Sequence, residues 1–164
     1  MKVSLLRTDK EITEIYERHV QTVWRVCYAY MKNTAETEDA VQDTFLRLMD
    51  ANPSFESAEH EKAWLIRTAS NVCKNHLKRK WRKRENLDSA ENTVGEMMQT
   101  NEVLDAVLAL PDKYKTVVYL YYYEGYAGKE IAAILKKPAS TVRNLLRDAR
   151  KQLKEKLGED FCEE

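Results

Sequence analysis

The sequence predicts an all-α fold: two small helical domains joined by a flexible linker, the second domain with a helix-turn-helix. Three observations carry this. Apolar residues recur at spacings of three and four in every long patterned segment. No segment needs a strand partner to bury its apolar side. Residues 85–100, "ENLDSAENTVGEMMQT", are acidic, polar and weakly patterned, and they part the two patterned halves. The expected division is a domain over 1–84, a linker over 85–100 and a domain over 101–164.

The first helix is expected from about 11 to 30, with Ile12, Tyr16, Val20, Val23, Cys27 and Tyr30 on its apolar stripe. Asn33 and Thr34 break it. Thr34 is the expected N-cap of the next helix, and Glu36, Glu38 and Asp39 fall where the helix dipole favours acids. That helix buries Ala40, Val41, Phe45 and Leu48 and stops at "DANPS", 50–54. A third, long helix is expected from His60 or Glu61, with Leu65, Ile66, Ala69, Val72, Cys73 and Leu77 inward.

Past the linker, Val103, Leu104, Val107 and Leu108 mark a short helix, and Pro111 suits a first helical turn. "YKTVVYLYYYEG", 114–125, reads as one helix stopped by Gly125. Residues 127–135 form another, 136–139 a turn, and 140–157 the last helix with Ser140 as its N-cap. A short helix, a four-residue turn and a second helix match a helix-turn-helix. Ile131, Ala132, Leu135, Val142 and Leu145 would hold the pair together. Thr141, Arg143, Asn144 and Arg147 would point outward, toward base edges if the helix entered a major groove.

Composition narrows the function classes. There is no run of about 18 apolar residues, hence no membrane span, and the opening "MKVSLLRTDKEITEIY" is not read as a signal peptide. Cys27, Cys73 and Cys162 form no CxxC, and Cys27 and Cys73 sit at apolar helical positions as small core residues. His19, His60 and His76 are scattered, so no metal site is expected. These features fit a reducing cytoplasm. With no glycine-rich phosphate loop, no HExxH and only four glycines, neither an enzyme nor a bound cofactor is expected.

The charge distribution is more informative than its sum. The chain has 27 basic and 27 acidic residues, yet "KNHLKRKWRKR", 74–84, holds seven Lys or Arg in eleven positions. Such a run is solvated, or paired with acids such as Glu11, Glu14 and Glu17, or it meets an anion that relieves its self-repulsion. Phosphate backbone is the obvious anion. Trp81, four residues after Leu77, fits either the last core position or a platform for an unpaired base. Residues 129–154 hold eight basic residues against Glu130 and Asp148. The acidic start of the second helix would instead repel DNA and suit a basic protein surface.

Taken together, these segments resemble a bacterial RNA polymerase sigma factor of the extracytoplasmic-function type, over residues from about 11 to 157. "AETEDAVQDTFLRLM", 35–49, resembles the polymerase-binding segment. "FESAEHEKAWLIRTASNVCKNHLKRKWRKR", 55–84, resembles the segment that reads and melts the minus-10 element. "LDAVLALPDKYKTVVYLYYYEGYAGKEIAAIL", with "TVRNLLRDARKQL" after it, resembles the minus-35 module. The resemblance implies polymerase contacts from Asp39, Gln42, Asp43 and Phe45. It implies minus-10 contacts from Phe55, Trp64, Asn71, Lys74, Asn75, Lys78, Arg79 and Arg82. It implies minus-35 contacts from Lys129, Ser140, Thr141, Arg143, Asn144, Arg147, Arg150 and Lys151. The implied partners are core RNA polymerase and promoter DNA, and sigma factors of this type are commonly silenced by an anti-sigma protein. The chain departs from the family pattern at Asn75, usually Asp; at Lys136 and Ser140, usually glycines; at Asp148, often Arg; and at Lys115, often Arg. Two other readings compete: a stand-alone helix-turn-helix regulator, and a helical adaptor whose basic patch meets an acidic protein.

Overall fold

A computed structural model describes residues 6–86 and 102–158, and all of their regular structure is helical. The chain forms two compact units, Met1–Gly95 and Glu96–Glu164.

In the first unit, α1 (Asp9–Met31), α2 (Thr34–Ala51) and α3 (Ala58–Asn86) each pack on the other two. Their core is Val23, Val26, Cys27, Ala40, Leu48, Leu65, Ile66, Ala69, Val72 and Cys73, all fully buried. Each large aliphatic side chain among them is worth about 1.5–3 kcal/mol. Thr8 and Glu11 form a capping box at the start of α1. At its end Lys32 takes a left-handed conformation, φ +64°, which turns the chain within two residues into α2. The cap of α2 is Asn33 rather than Thr34: its Oδ1 accepts the Glu36 amide at 2.8 Å, and Thr34 is the first helical residue. Asn52, φ +42°, ends α2. The third helix starts at Ala58, earlier than the sequence predicts, because the Ser57 hydroxyl accepts the His60 amide at 3.1 Å. It runs through Asn86; the rest of the expected linker lies outside the described residues.

The apolar stripe of α1 is also displaced at its first turns. Tyr16, expected inside, is 45% exposed, while Ile15 and His19 are buried. His19 can be buried because its Nε2 lies 2.7 Å from Glu61 Oε1 at the start of α3. Arg18 donates to the same oxygen from Nη2 at 2.8 Å.

The second unit contains α4 (Glu102–Leu108), α5 (Asp112–Val118), a π-helical turn (Tyr119–Tyr123), α6 (Gly128–Leu135) and α7 (Ala139–Leu157). The last helix packs on α4, α5 and α6. Ala106, Leu110, Tyr114, Val118, Ala149 and Leu153 form one core cluster. Ile131, Ala132, Val142 and Leu146 are buried as well, while Leu135 and Leu145, expected inside, are half-buried. Pro111 and Pro138 occupy N-cap positions, so Ser140 sits within the first turn of α7 and caps nothing. Pro138 explains this: its fixed φ starts the helix early and leaves no side-chain cap. Gly125, φ +74°, makes the stop after the tyrosine run. Lys115 is fully buried, with Nζ 3.2 Å from Asp112 Oδ1.

Candidate nucleic-acid and polymerase interfaces

The first unit offers three surfaces. The first is an open groove of about 630 Å³ between α1 and α2. Asp39, Gln42 and Phe45 line it, together with Tyr16, Trp24, Glu38, Leu46 and Met49. Phe45 is buried beneath it, its ring 4.9 Å from that of Tyr16. Leu46 and Met49 are nearly half exposed. The result is an apolar floor with a carboxylate edge, able to take an amphipathic, basic helix. Sequence reasoning named Asp39, Gln42 and Phe45 but not Leu46, Met49 or Tyr16. The available signal was that Leu46 and Met49 are apolar yet lie off the Val41–Phe45–Leu48 stripe.

Asp43 is placed differently from the other three. It does not line the groove; its Oδ2 lies 2.6 Å from His76 Nε2 on α3. One turn away, Lys80 Nζ lies 2.8 Å from Glu36 Oε1. The basic end of α3 thus meets acids of α2 along one edge, and among the described residues none of Glu11, Glu14 and Glu17 pairs with it.

The second surface is the remaining face of α3. Asn71, Asn75, Lys78 and Arg82 are exposed and recur at three and four residues, so they share a stripe, with exposed Arg79 beside it; Lys74 is half-buried. Trp81 is 65% exposed, so it is not the last core residue; its indole faces outward.

The third surface is the loop between α2 and α3. The Phe55 ring meets the edges of His60 (5.5 Å) and Trp64 (6.0 Å), both on α3. The Arg7 guanidinium lies 5.0 Å from the Phe55 centroid, within cation–π range. Arg7 was not read from the sequence, since it precedes the first patterned segment.

In the second unit, α6 and α7 join through a three-residue turn whose Lys136 is left-handed. Lys129, Ser140, Arg143, Asn144, Arg147 and Lys151 are exposed, and Thr141 is half-buried. Arg147 Nε lies 3.4 Å from Asp148 Oδ1, its own neighbour. Arg150 is held more firmly. It donates from Nε to the Tyr122 hydroxyl at 3.1 Å and lies 4.8 Å from the Tyr121 centroid. Partial burial alone would lower its pKa, but the bond to Tyr122 and the field of both tyrosines outweigh that and raise it. Arg143 and Arg150 border a small groove of about 160 Å³ with Gly128, Lys129, Ala139 and Leu146. Among the described residues, no group of three or more His, Cys, Asp or Glu could hold a metal ion. No described helix is long and apolar enough to cross a membrane.

A three-helix unit with an acidic, apolar groove, followed by a unit ending in a helix-turn-helix, is the architecture of a sigma-70-type factor. Two family profiles match in that order: Sigma-70 region 2 over residues 15–83, and Sigma-70 region 4 over residues 100–153. The chain is 27% identical over 167 residues to the ECF RNA polymerase sigma factor SigW of Bacillus subtilis, covering 90% of this chain and 87% of that one. It is 31% identical over 138 residues to the ECF RNA polymerase sigma-E factor of Haemophilus influenzae, with 73% of each covered. Its fold is similar to that of the sigma factor RpoE from Bartonella quintana, solved with the anti-sigma factor NepR, at a TM-score of 0.73 and 19% identity, covering 90% of this chain and 97% of that one. It is similar also to CnrH, solved with the cytosolic domain of CnrY, at 0.63 and 20%, covering 90% and 88%. The chain belongs to the ECF sigma factor family. Members of that family are transcription factors without catalytic chemistry of their own.

Proposed function

We propose that this chain is a promoter-specific initiation factor that binds core RNA polymerase in the cytoplasm and directs it to minus-35 and minus-10 elements. The observation that carries this reading is the groove between α1 and α2, with exposed Leu46 and Met49 on its apolar lining and Glu38 and Asp39 among the residues that line it. A stand-alone DNA-binding regulator has no need of such a surface in a unit that also presents a basic helix.

On this reading 1–84 docks on polymerase and handles the minus-10 element, 85–100 links the units, and 101–164 handles the minus-35 element. Asp39, Gln42 and Phe45 act at the docking face, and Asp43 supports that face by tying α2 to α3. Lys78, Arg79 and Arg82 meet phosphate, and Phe55 and Trp64 meet an unpaired base. Unstacking that base costs a few kcal/mol, which phosphate contacts help offset. Arg143, Asn144 and Arg147 address base edges in the major groove. An anti-sigma protein would act by covering the same faces.

The test is reconstituted transcription with purified core polymerase, this chain and a promoter library. Specific initiation only in its presence is expected. Replacing Asp39 and Gln42 together with Arg is expected to abolish core binding while circular dichroism stays unchanged. Operator binding that needs no polymerase would favour a stand-alone regulator, and absence of DNA affinity at low salt would favour an adaptor; either result sinks the proposal.

A further inference from the structure

The segment before α1 reaches the loop between α2 and α3 through one side chain. Arg7 Nη1 donates to Asn52 Oδ1 at 2.8 Å, and Nη2 donates to the Pro53 carbonyl. Its guanidinium lies over the Phe55 ring, 5.0 Å from the centroid. The neighbouring capping box fixes the backbone at Thr8, so Arg7 is launched from a rigid point, 45 residues away in sequence from the amide that it grips. Arg7 also lies outside the stretch that matches the region 2 profile, which begins at residue 15.

A guanidinium offers five N–H donors. Among the described residues two of them are used, one on the Asn52 side-chain oxygen and one on the Pro53 carbonyl. Arg7 is half-buried rather than enclosed, and no other described group takes its remaining donors. An arginine stacked on an aromatic ring with donors to spare is a common way to hold single-stranded nucleic acid: the ring and the guanidinium plane take the base, and the spare N–H groups take phosphate. Lysine could not do the same, lacking the planar fork.

We propose that Arg7 is a further promoter-binding residue, meeting the unpaired non-template strand at the minus-10 element beside Phe55. This rests on the reading of the Phe55 loop as the site of the opened strand. The competing role is structural: a cation at the C-terminal end of α2 also complements that helix's dipole. The two roles differ in what they do to salt dependence. A phosphate contact on a single strand contributes about 0.7 to the slope of log K against log salt, whereas a purely structural arginine contributes nothing.

The experiment uses holoenzyme and a fork-junction DNA that carries the minus-10 element selected in the transcription assay, unpaired on its non-template strand. Arg7→Ala is expected to weaken fork binding about tenfold and to lower the salt slope by about 0.7, in line with one lost phosphate contact. Arg7→Lys is expected to retain the slope and lose about threefold through the missing fork and ring contact. Binding to core and to minus-35 duplex should not change for either. Phe55→Ala serves as the control for the loop. If it weakens fork binding while Arg7→Ala does not, the inference about Arg7 falls and the loop assignment stands. If neither weakens it, the loop assignment fails and takes Arg7 with it. A loss with an unchanged salt slope means that Arg7 only holds the loop, and overturns the contact.

Discussion

Lys136 shows how one residue records a choice made by the whole recognition turn. It closes α6 at φ +54°, a conformation in which a side chain with a Cβ is strained by about 1–2 kcal/mol. The family pattern usually has glycine in this turn, which would avoid the strain. Lysine stands here beside a cluster of basic residues, and on the proposed reading its exposed ammonium adds to the charge that meets phosphate. Lys136→Gly removes the strain but enlarges the unfolded ensemble by about 0.4–1 kcal/mol. The net expectation is stabilisation of the second unit by roughly 0.5–1 kcal/mol, a rise of several degrees in its melting temperature. Near-ultraviolet circular dichroism can follow this unit, since six of the nine tyrosines lie in 114–126. The same substitution should weaken DNA binding slightly at all sequences, as loss of a non-specific cation does. A melting temperature that falls would mean that the Lys136 side chain makes a stabilising contact larger than the strain.

At the scale of elements, the sequence revealed most where burial alone decides. Leu65, Ile66, Ala69, Val72 and Cys73 of α3 recur with a clear period and all are buried. It was less legible where a polar partner distant in sequence decides. Nothing near His19 says that Glu61 will take its ring nitrogen, 42 residues on, and so pull the ring inside in place of Tyr16. Arg7 and the pairing of Asp43 with His76 were hidden for the same reason. The tyrosine run failed differently. In "YLYYY" nearly every position is aromatic, so no period separates an α-helix from the π-helical turn that forms. There the Glu124 amide bonds to the Tyr119 carbonyl at 3.2 Å, and the Tyr126 amide to that of Leu120 at 3.0 Å. Such a turn sets the tyrosines at positions that an α-helix would not reach. Tyr121 and Tyr122 there engage Arg150 of α7. The expected consequence is an energetic coupling between the turn and the recognition helix. A double-mutant cycle with Tyr122→Phe and Arg150→Met, followed by urea denaturation, should give an interaction of about 0.5–1.5 kcal/mol, the range of an ordinary hydrogen bond, since solvent exposure weakens the added pull of the charge. A coupling indistinguishable from zero would leave Arg150 available to DNA without a competing partner at Tyr122.

At the scale of the whole molecule, net charge is zero, yet the charge is segregated along the chain. Acids gather on α2 and in 85–100, bases at the end of α3 and in 129–154. A neutral total supplies no long-range pull toward DNA, so attraction must be local, within a Debye length of about 8–10 Å. Within the first unit, Glu36 of α2 pairs with Lys80 and Asp43 bonds to His76, while Lys78, Arg79 and Arg82 stay exposed; on the proposed reading these three carry much of the electrostatic part of binding. The two basic surfaces should therefore behave differently when altered. Replacing Lys78, Arg79 and Arg82 by Gln removes up to three phosphate contacts. It should flatten the salt dependence of promoter binding by holoenzyme by about 2–3 in log–log slope, alike for strong and weak promoters. Replacing Arg143 and Asn144 by Ala should leave that slope within about one unit but relax discrimination at the minus-35 element, at about 1–3 kcal/mol for each base read. Titrations of both variants across a range of salt concentrations, on matched and minus-35-substituted promoters, separate these outcomes. If the triple Gln variant lost sequence discrimination and kept its salt slope, the division between a phosphate-holding α3 and a base-reading α7 would have to be reversed.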